Sequence, residues 1–121
     1  MSKAQFLADN LKPGEVYAGL ILGQNGEPDY HLVLMPGQAT DVDWKTATDW
    51  AKKQGGELPT RREQALLYAN CKAEFEPRWY WSSEKAGASS AWLQYFYDGY
   101  QGDGHISDQF RARAVRRLVL L

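Results

Sequence analysis

Apolar positions along the chain change period several times, and each change marks an element. Phe6, Leu7 and Leu11 recur at helical spacing behind Ser2-Lys3-Ala4-Gln5, which has the form of a capping box. A short helix is therefore predicted over residues 2–11, ended by Pro13-Gly14. Val16-Tyr17-Ala18-Gly19-Leu20-Ile21-Leu22 and Tyr30-His31-Leu32-Val33-Leu34-Met35 are β-rich runs, and the Asn25-Gly26 step between them favours positive φ, so the pair reads as a hairpin. Helical spacing returns at Trp44, Ala47 and Ala51, with Asp43 as N-cap and Gly55-Gly56 as terminator. A third helix opens at Thr60-Arg61-Arg62-Glu63, where the Thr60 hydroxyl and the Glu63 carboxylate are spaced to satisfy each other's backbone amides. Beyond Pro77 the chain reads as strands separated by glycine-rich loops at Gly87–Ser90 and Asp98–Gly104. A last strand, Ala112–Leu121, is expected to be central and covered on both faces, with Leu118 and Leu120 on one and Val115 and Val119 on the other.

The aromatic residues are unevenly spread. Of 16 rings, 10 fall between Phe75 and Phe110, more than one local core requires, so part of this set is expected to face solvent or a ligand. Alternation along strands directs Trp81 and Phe96 inward and leaves Tyr95, Tyr97 and Tyr100 for display. With Trp92, Gln94 and His105, these tyrosines form the candidate partner-binding set, because rings surrounded by small polar residues are the composition of binding loops. Thr60, Glu63, Trp81, Arg116 and Arg117 are assigned to the scaffold. One of Arg113, Arg116 and Arg117 should be at least partly buried against a carboxylate, since alternation places Arg116 on the face of Leu118 and Leu120, with Glu63 the first candidate partner.

Trp81-Ser82-Ser83, then Ala91-Trp92 with a strand running to Phe96-Tyr97-Asp98-Gly99, then Arg111-Ala112-Arg113-Ala114-Val115-Arg116-Arg117 follow in an order that resembles the domain of unknown function 1566, also called the Lcl C-terminal domain family. Upstream, Leu58-Pro59-Thr60 before a helix is similar to the element that precedes these motifs in that family. The match runs from about Val16 to Leu118. The resemblance implies an α+β, C-type-lectin-like fold in which the N- and C-terminal strands pair, here Val16–Leu22 with the last strand. Two helices, an antiparallel sheet and a long aromatic and glycine-rich region complete it. Residues 1–14 then form an arm or short helix, and residues 15–121 the domain. Small proteins carried by phages and prophages are similar, which suits a host cytoplasm or a virion. The family hosts many ligands, so no activity follows from the resemblance.

Composition narrows the function. A net charge of −1 argues against nucleic acid as partner, although four of the 14 Lys and Arg residues crowd between Arg111 and Arg117. Cys71 is alone, so it makes no internal disulfide and reads as a packed thiol; no basic start with a long apolar run suggests a cleaved signal, and no stretch reaches membrane-spanning length. Asp98, Asp103 and Asp108 share one loop-like segment but lack EF-hand spacing, and turn chemistry explains Asp98-Gly99 and Asp103-Gly104 without a metal. The Glu-Pro-Asn and Trp-Asn-Asp signatures of calcium-dependent sugar binding are missing, and nothing resembling a nucleophile elbow surrounds Ser82, His105 or Asp103. His31 is read as structural. The expectation is a binding module with no cofactor, no metal and no enzymatic activity. Its partner is a protein met as a virion component or as an inhibitor of a host system; a glycan or small-ligand binder, a self-associating protein and an enzyme of unknown reaction are the alternatives.

Overall fold

The computed structural model describes residues 2–119, and its elements follow in the order α1 (Lys3–Asn10), β1 (Val16–Ile21), β2 (Tyr30–Leu34), β3 (Ala39–Val42), α2 (Trp44–Lys53), α3 (Arg61–Cys71), a 3₁₀ turn (Lys72–Glu74), β4 (Trp79–Gly87), β5 (Ser90–Tyr95), β6 (Gln101–His105), β7 (Phe110–Ala112) and β8 (Val115–Val119). The chain is thus α+β. Each helix begins where side-chain chemistry predicts. Ser2 accepts from the Gln5 amide, Asp43 from the Thr46 amide and Thr60 from the Glu63 amide, and only at α3 is the box reciprocal, with Glu63 accepting from the Thr60 amide at 2.8 Å. At α1 the Gln5 side chain turns instead to Asp9.

β1 and β2 form the predicted antiparallel hairpin, with Asn25 and Gly26 at positive φ in its turn and a bulge between Tyr17 and Gly19. The last strand does not pair with β1 as the family resemblance implied. β8 pairs antiparallel with β2, giving a three-stranded sheet in the order β1-β2-β8, so β2 is central and β8 lies at an edge. Its faces are nonetheless distinct. Val115 and Arg117 turn towards α3, while Arg116 reaches Glu15 and the Asn10 carbonyl on the side of α1. Leu120 and Leu121 lie outside the described residues. The arm packs on this sheet: the Phe6 ring sits 4.2 Å from that of His31, whose Nδ1 meets the Tyr17 hydroxyl at 2.7 Å.

The second sheet is mixed, in the order β3-β7-β4-β5-β6, with β4 and β7 parallel and the other pairs antiparallel. Residues 101–105, expected within a glycine-rich loop, are its outer strand. The reason is steric. A Cβ at Gly104 would lie 2.8 Å from Leu93 and 3.2 Å from Phe110, so glycine is what lets this segment close against β5.

Two cores result. One joins the three-stranded sheet to α3 through Leu32, Leu34, Leu67, Val115, Tyr80 and Phe96; the other joins α2 to the five-stranded sheet through Ala47, Ala51, Leu58, Trp81, Leu93 and Ala112. Trp81 is fully buried and donates to the Val42 carbonyl, which satisfies the polar atom its burial would otherwise strand.

Candidate functional site

Alternation along β4, β5 and β6 sorts the aromatic segment into two faces. Tyr80, Gln94 and Gln101 point towards α3, while Trp79, Trp81, Leu93 and Tyr95 point the other way, where α2 covers Trp81 and Leu93 but leaves the end nearest Tyr95 open. At that end the Trp79 and Tyr95 rings stack 4.9 Å apart with planes within 12°. Tyr100 meets Trp79 edge-on at 6.1 Å, and Tyr97 lies 5.8 Å from Tyr95. Four rings therefore form one continuous patch. Tyr97 and Tyr100 are each 63% exposed, whereas Tyr95, half-buried in its stack, is less displayed than alternation alone predicts.

Glycine shapes this patch as well. A Cβ at Gly102 would stand 3.1 Å from the Tyr100 ring and 3.7 Å from Trp79, so its absence allows both rings to lie against the strand. Gly99, at φ 84°, turns the chain between Tyr97 and Tyr100 in a conformation L-residues rarely adopt. Asp98 accepts from the Tyr100 amide at 3.0 Å, the turn role expected of it.

The other expected site residues fall elsewhere. Gln94 is buried: its amide donates to the Gln64 carbonyl and its Oε1 accepts from Gln101, so it joins α3 to the sheet and is not available to a partner. Trp92 is half-buried beneath the Arg61 guanidinium, 3.6 Å from its ring centre. His105 is exposed, and its Nδ1 accepts from the Ser107 amide at 3.1 Å. The structure thus brings Tyr95, Tyr97 and Tyr100 together and leaves Trp92 and His105 apart from them. Trp79 is the ring that sequence reasoning missed. Its signal was period two with Trp81, two residues closer to the covered end.

Electrostatics concentrate in the scaffold. Glu63, fully buried, accepts from the Thr60 amide, the Tyr30 hydroxyl at 2.6 Å, and Arg117 Nε and Nη2 at 2.7 and 2.8 Å. Burial alone would raise its pKa, but the bonds from Arg117, Tyr30 and Thr60 outweigh that and hold the carboxyl below its ordinary value. Tyr30 is pushed up to about 12, first by burial and then by the bonded carboxylate. Arg117 also reaches Glu57, and Arg116 makes a two-pronged pair with Glu15. The arginine matched to Glu63 is therefore Arg117 and not Arg116, which alternation singled out and which lies on the opposite face of β8 with Glu15. Arg113 is more buried still, yet among the described residues it meets no carboxylate and its Nε has no partner: it donates to the Glu74 and Met35 carbonyls.

Chemistry elsewhere is sparse. Cys71 is buried, and burial raises its thiol pKa. Among the described residues no three His, Cys, Asp or Glu side chains gather as a metal cluster would need, and no helix is long and apolar enough to cross a membrane. A hollow of ≈ 600 Å³ opens at the start of α3 between Tyr30, Arg62, Glu84 and Gln101. Two of its helix-end donors are taken, the Arg61 amide by Glu84 and the Glu63 amide by Thr60. No family model matches the chain, and no curated protein matches it in sequence.

Proposed function

We propose that this chain is a non-enzymatic binding module that recognises a protein partner through the patch of Trp79, Tyr95, Tyr97 and Tyr100. One observation carries the reading: two tyrosines in the turn between β5 and β6, each 63% exposed, extend the stacked Trp79 and Tyr95 rings of β4 and β5 into one continuous set. Such rings offer large contact area at little entropic cost, which is why tyrosine and tryptophan dominate interface hot spots. The resemblance to the domain of unknown function 1566 family supports a C-type-lectin-like module of phage or prophage origin. In that setting the partner is met in a host cytoplasm or on a virion, and the module serves as a virion component or as an inhibitor of a host system.

The test places a photo-crosslinking residue at Tyr97 or Tyr100, and at exposed Lys45 on α2 as control, in lysate of the organism that carries the gene. A discrete adduct is expected from the tyrosine positions only. Tyr97→Ala with Tyr100→Ala should weaken the captured partner by about 2 kcal/mol or more while leaving the thermal transition in place, because both rings are mostly in solvent. Adducts from Lys45 alone, or full affinity in the double variant, would refute the reading. Binding of the tyrosine patch to a glycan array, with no protein adduct, would move the partner class from protein to sugar.

A further inference from the structure

β6 ends the five-stranded sheet and, among the described residues, is paired on one side only. The phase of its ladder follows from two flanking bonds, Tyr95 N–H to the Tyr100 carbonyl at 2.8 Å and Ile106 N–H to the Ser89 carbonyl at 2.9 Å. With the observed register, Gly102 and Gly104 point their backbone groups at β5, and Gln101, Asp103 and His105 point theirs away. The His105 carbonyl is used by the Asp108 amide. That leaves both backbone groups of Gln101, both of Asp103 and the His105 amide along the open edge.

Edge strands are normally blunted by proline, lysine or a bulge. β6 has none of these and its register with β5 is unbroken; its one charged side chain, Asp103, guards the edge against an anionic strand but not against a cationic one. β3, at the opposite edge, is interrupted between Ala39 and Val42, with Asp41 at φ 53°. The open edge of β6 also adjoins the patch, since the Tyr100 ring lies over Gly102. The segment itself is acidic: from Ala86 to Phe110 there is no lysine or arginine, while Asp98, Asp103 and Asp108 are all exposed, and the Arg61 guanidinium that reaches β6 from α3 is engaged by Gln101 and the Trp92 ring.

From this edge, and resting on the aromatic-patch reading, we infer that β6 takes an added strand from its protein partner: an extended segment bearing lysine or arginine. The partner's backbone completes the ladder at Gln101, Asp103 and His105. On the face turned to α3 its cationic side chains meet Asp103, and on the reverse face its alternate side chains lie against the Tyr100 ring. A second copy of this chain is the poorer occupant. Two β6 strands paired antiparallel about their midpoint would set Asp103 opposite Asp103, and like charges directly opposite each other destabilise a ladder.

The experiment uses the full chain, ¹⁵N-labelled, with three synthetic probes: an acetylated hexapeptide of alternating lysine and valine, its glutamate analogue, and a lysine peptide N-methylated along its pairing edge. Amide exchange at Asp103 and His105 should slow roughly tenfold or more with the lysine peptide, while Gly102 and Gly104 are protected already in the free protein. The glutamate peptide should bind at least about tenfold more weakly, and the N-methylated peptide should not protect Asp103. Asp103→Pro removes an outward donor without touching the β5 ladder and should abolish protection; Asp103→Lys should reverse the preference between the charged peptides even if the proline variant folds poorly. Lysine-peptide binding that leaves Asp103 unprotected, or that survives N-methylation, overturns strand addition and leaves the patch standing. Protection that persists in Tyr97→Ala with Tyr100→Ala upholds the edge and overturns the patch. No binding of the lysine peptide at millimolar concentration overturns the inference.

Discussion

Glu63→Gln tests whether the buried ion pair at the start of α3 holds the two layers together. The substitution keeps the shape and an oxygen for the Thr60 amide, but it removes the charge that Arg117 approaches from two nitrogens and that Tyr30 approaches from its hydroxyl. Breaking one partner of a buried pair costs ~3–5 kcal/mol. Here Arg117 is 26% exposed in its side chain and keeps Glu57, which lowers the figure, whereas turning an amide NH₂ towards donors raises it. The expected loss is about 2–4 kcal/mol at pH 7, a large share of the stability of a domain this size. The pH dependence has a definite sign. Because the folded pKa of Glu63 lies below its ordinary 4.5, the ionised form contributes fully above that value, and the contribution disappears as pH falls through the folded pKa. Urea unfolding of both proteins between pH 3 and 7 should therefore show a gap that is widest near neutrality and closes in acid. A loss below about 1 kcal/mol at pH 7, or an equal loss at pH 3, would refute the reasoning.

Arg113→Met should destabilise by on the order of 1–3 kcal/mol in the same assay, because methionine fills the space but leaves the Glu74 and Met35 carbonyls without their donor; an unchanged or raised midpoint would show that the unpaired buried guanidinium costs more than those bonds return. Cys71 should resist a thiol-specific reagent in the native protein and react promptly in urea, since burial both shields the sulfur and raises its pKa; rapid labelling of the folded chain would contradict its placement.

Local features were legible in the sequence because local chemistry decides them. Asp43 and Thr60 cap their helices as their spacing to Thr46 and Glu63 requires, and Asn25-Gly26 turns the hairpin because those residues accept positive φ. The partner of β8 was not legible. β1 and β2 are both apolar runs of suitable length, and what distinguishes them is long-range: beside β2, Arg117 reaches Glu63 and Arg116 reaches Glu15. Residues 101–105 failed for a different reason, since two glycines and an aspartate argue against a strand unless neighbouring rings need the space. Gln94 looked like a ligand contact because it stands among rings. Only Gln64 and Gln101, distant in sequence, show that its amide belongs to the interior.

The placement of these polar contacts separates what holds the domain from what it presents. The opening turn of α3 commits neighbouring residues to different strands: Arg61 to Gln101 of β6 and Trp92 of β5, Glu63 to Arg117 of β8, and Gln64 to the Tyr80 and Trp81 carbonyls of β4. All of these bonds lie on the side of the five-stranded sheet that faces α3. Trp79 and Tyr95 occupy the reverse side, and the Tyr97 and Tyr100 side chains make no hydrogen bond among the described residues. Changing Tyr97 or Tyr100 therefore breaks no tie between layers, whereas changing Glu63 or Gln64 breaks one directly. A surface built this way can vary its two exposed rings at little cost to folding, which is the property a recognition face needs and a structural core lacks.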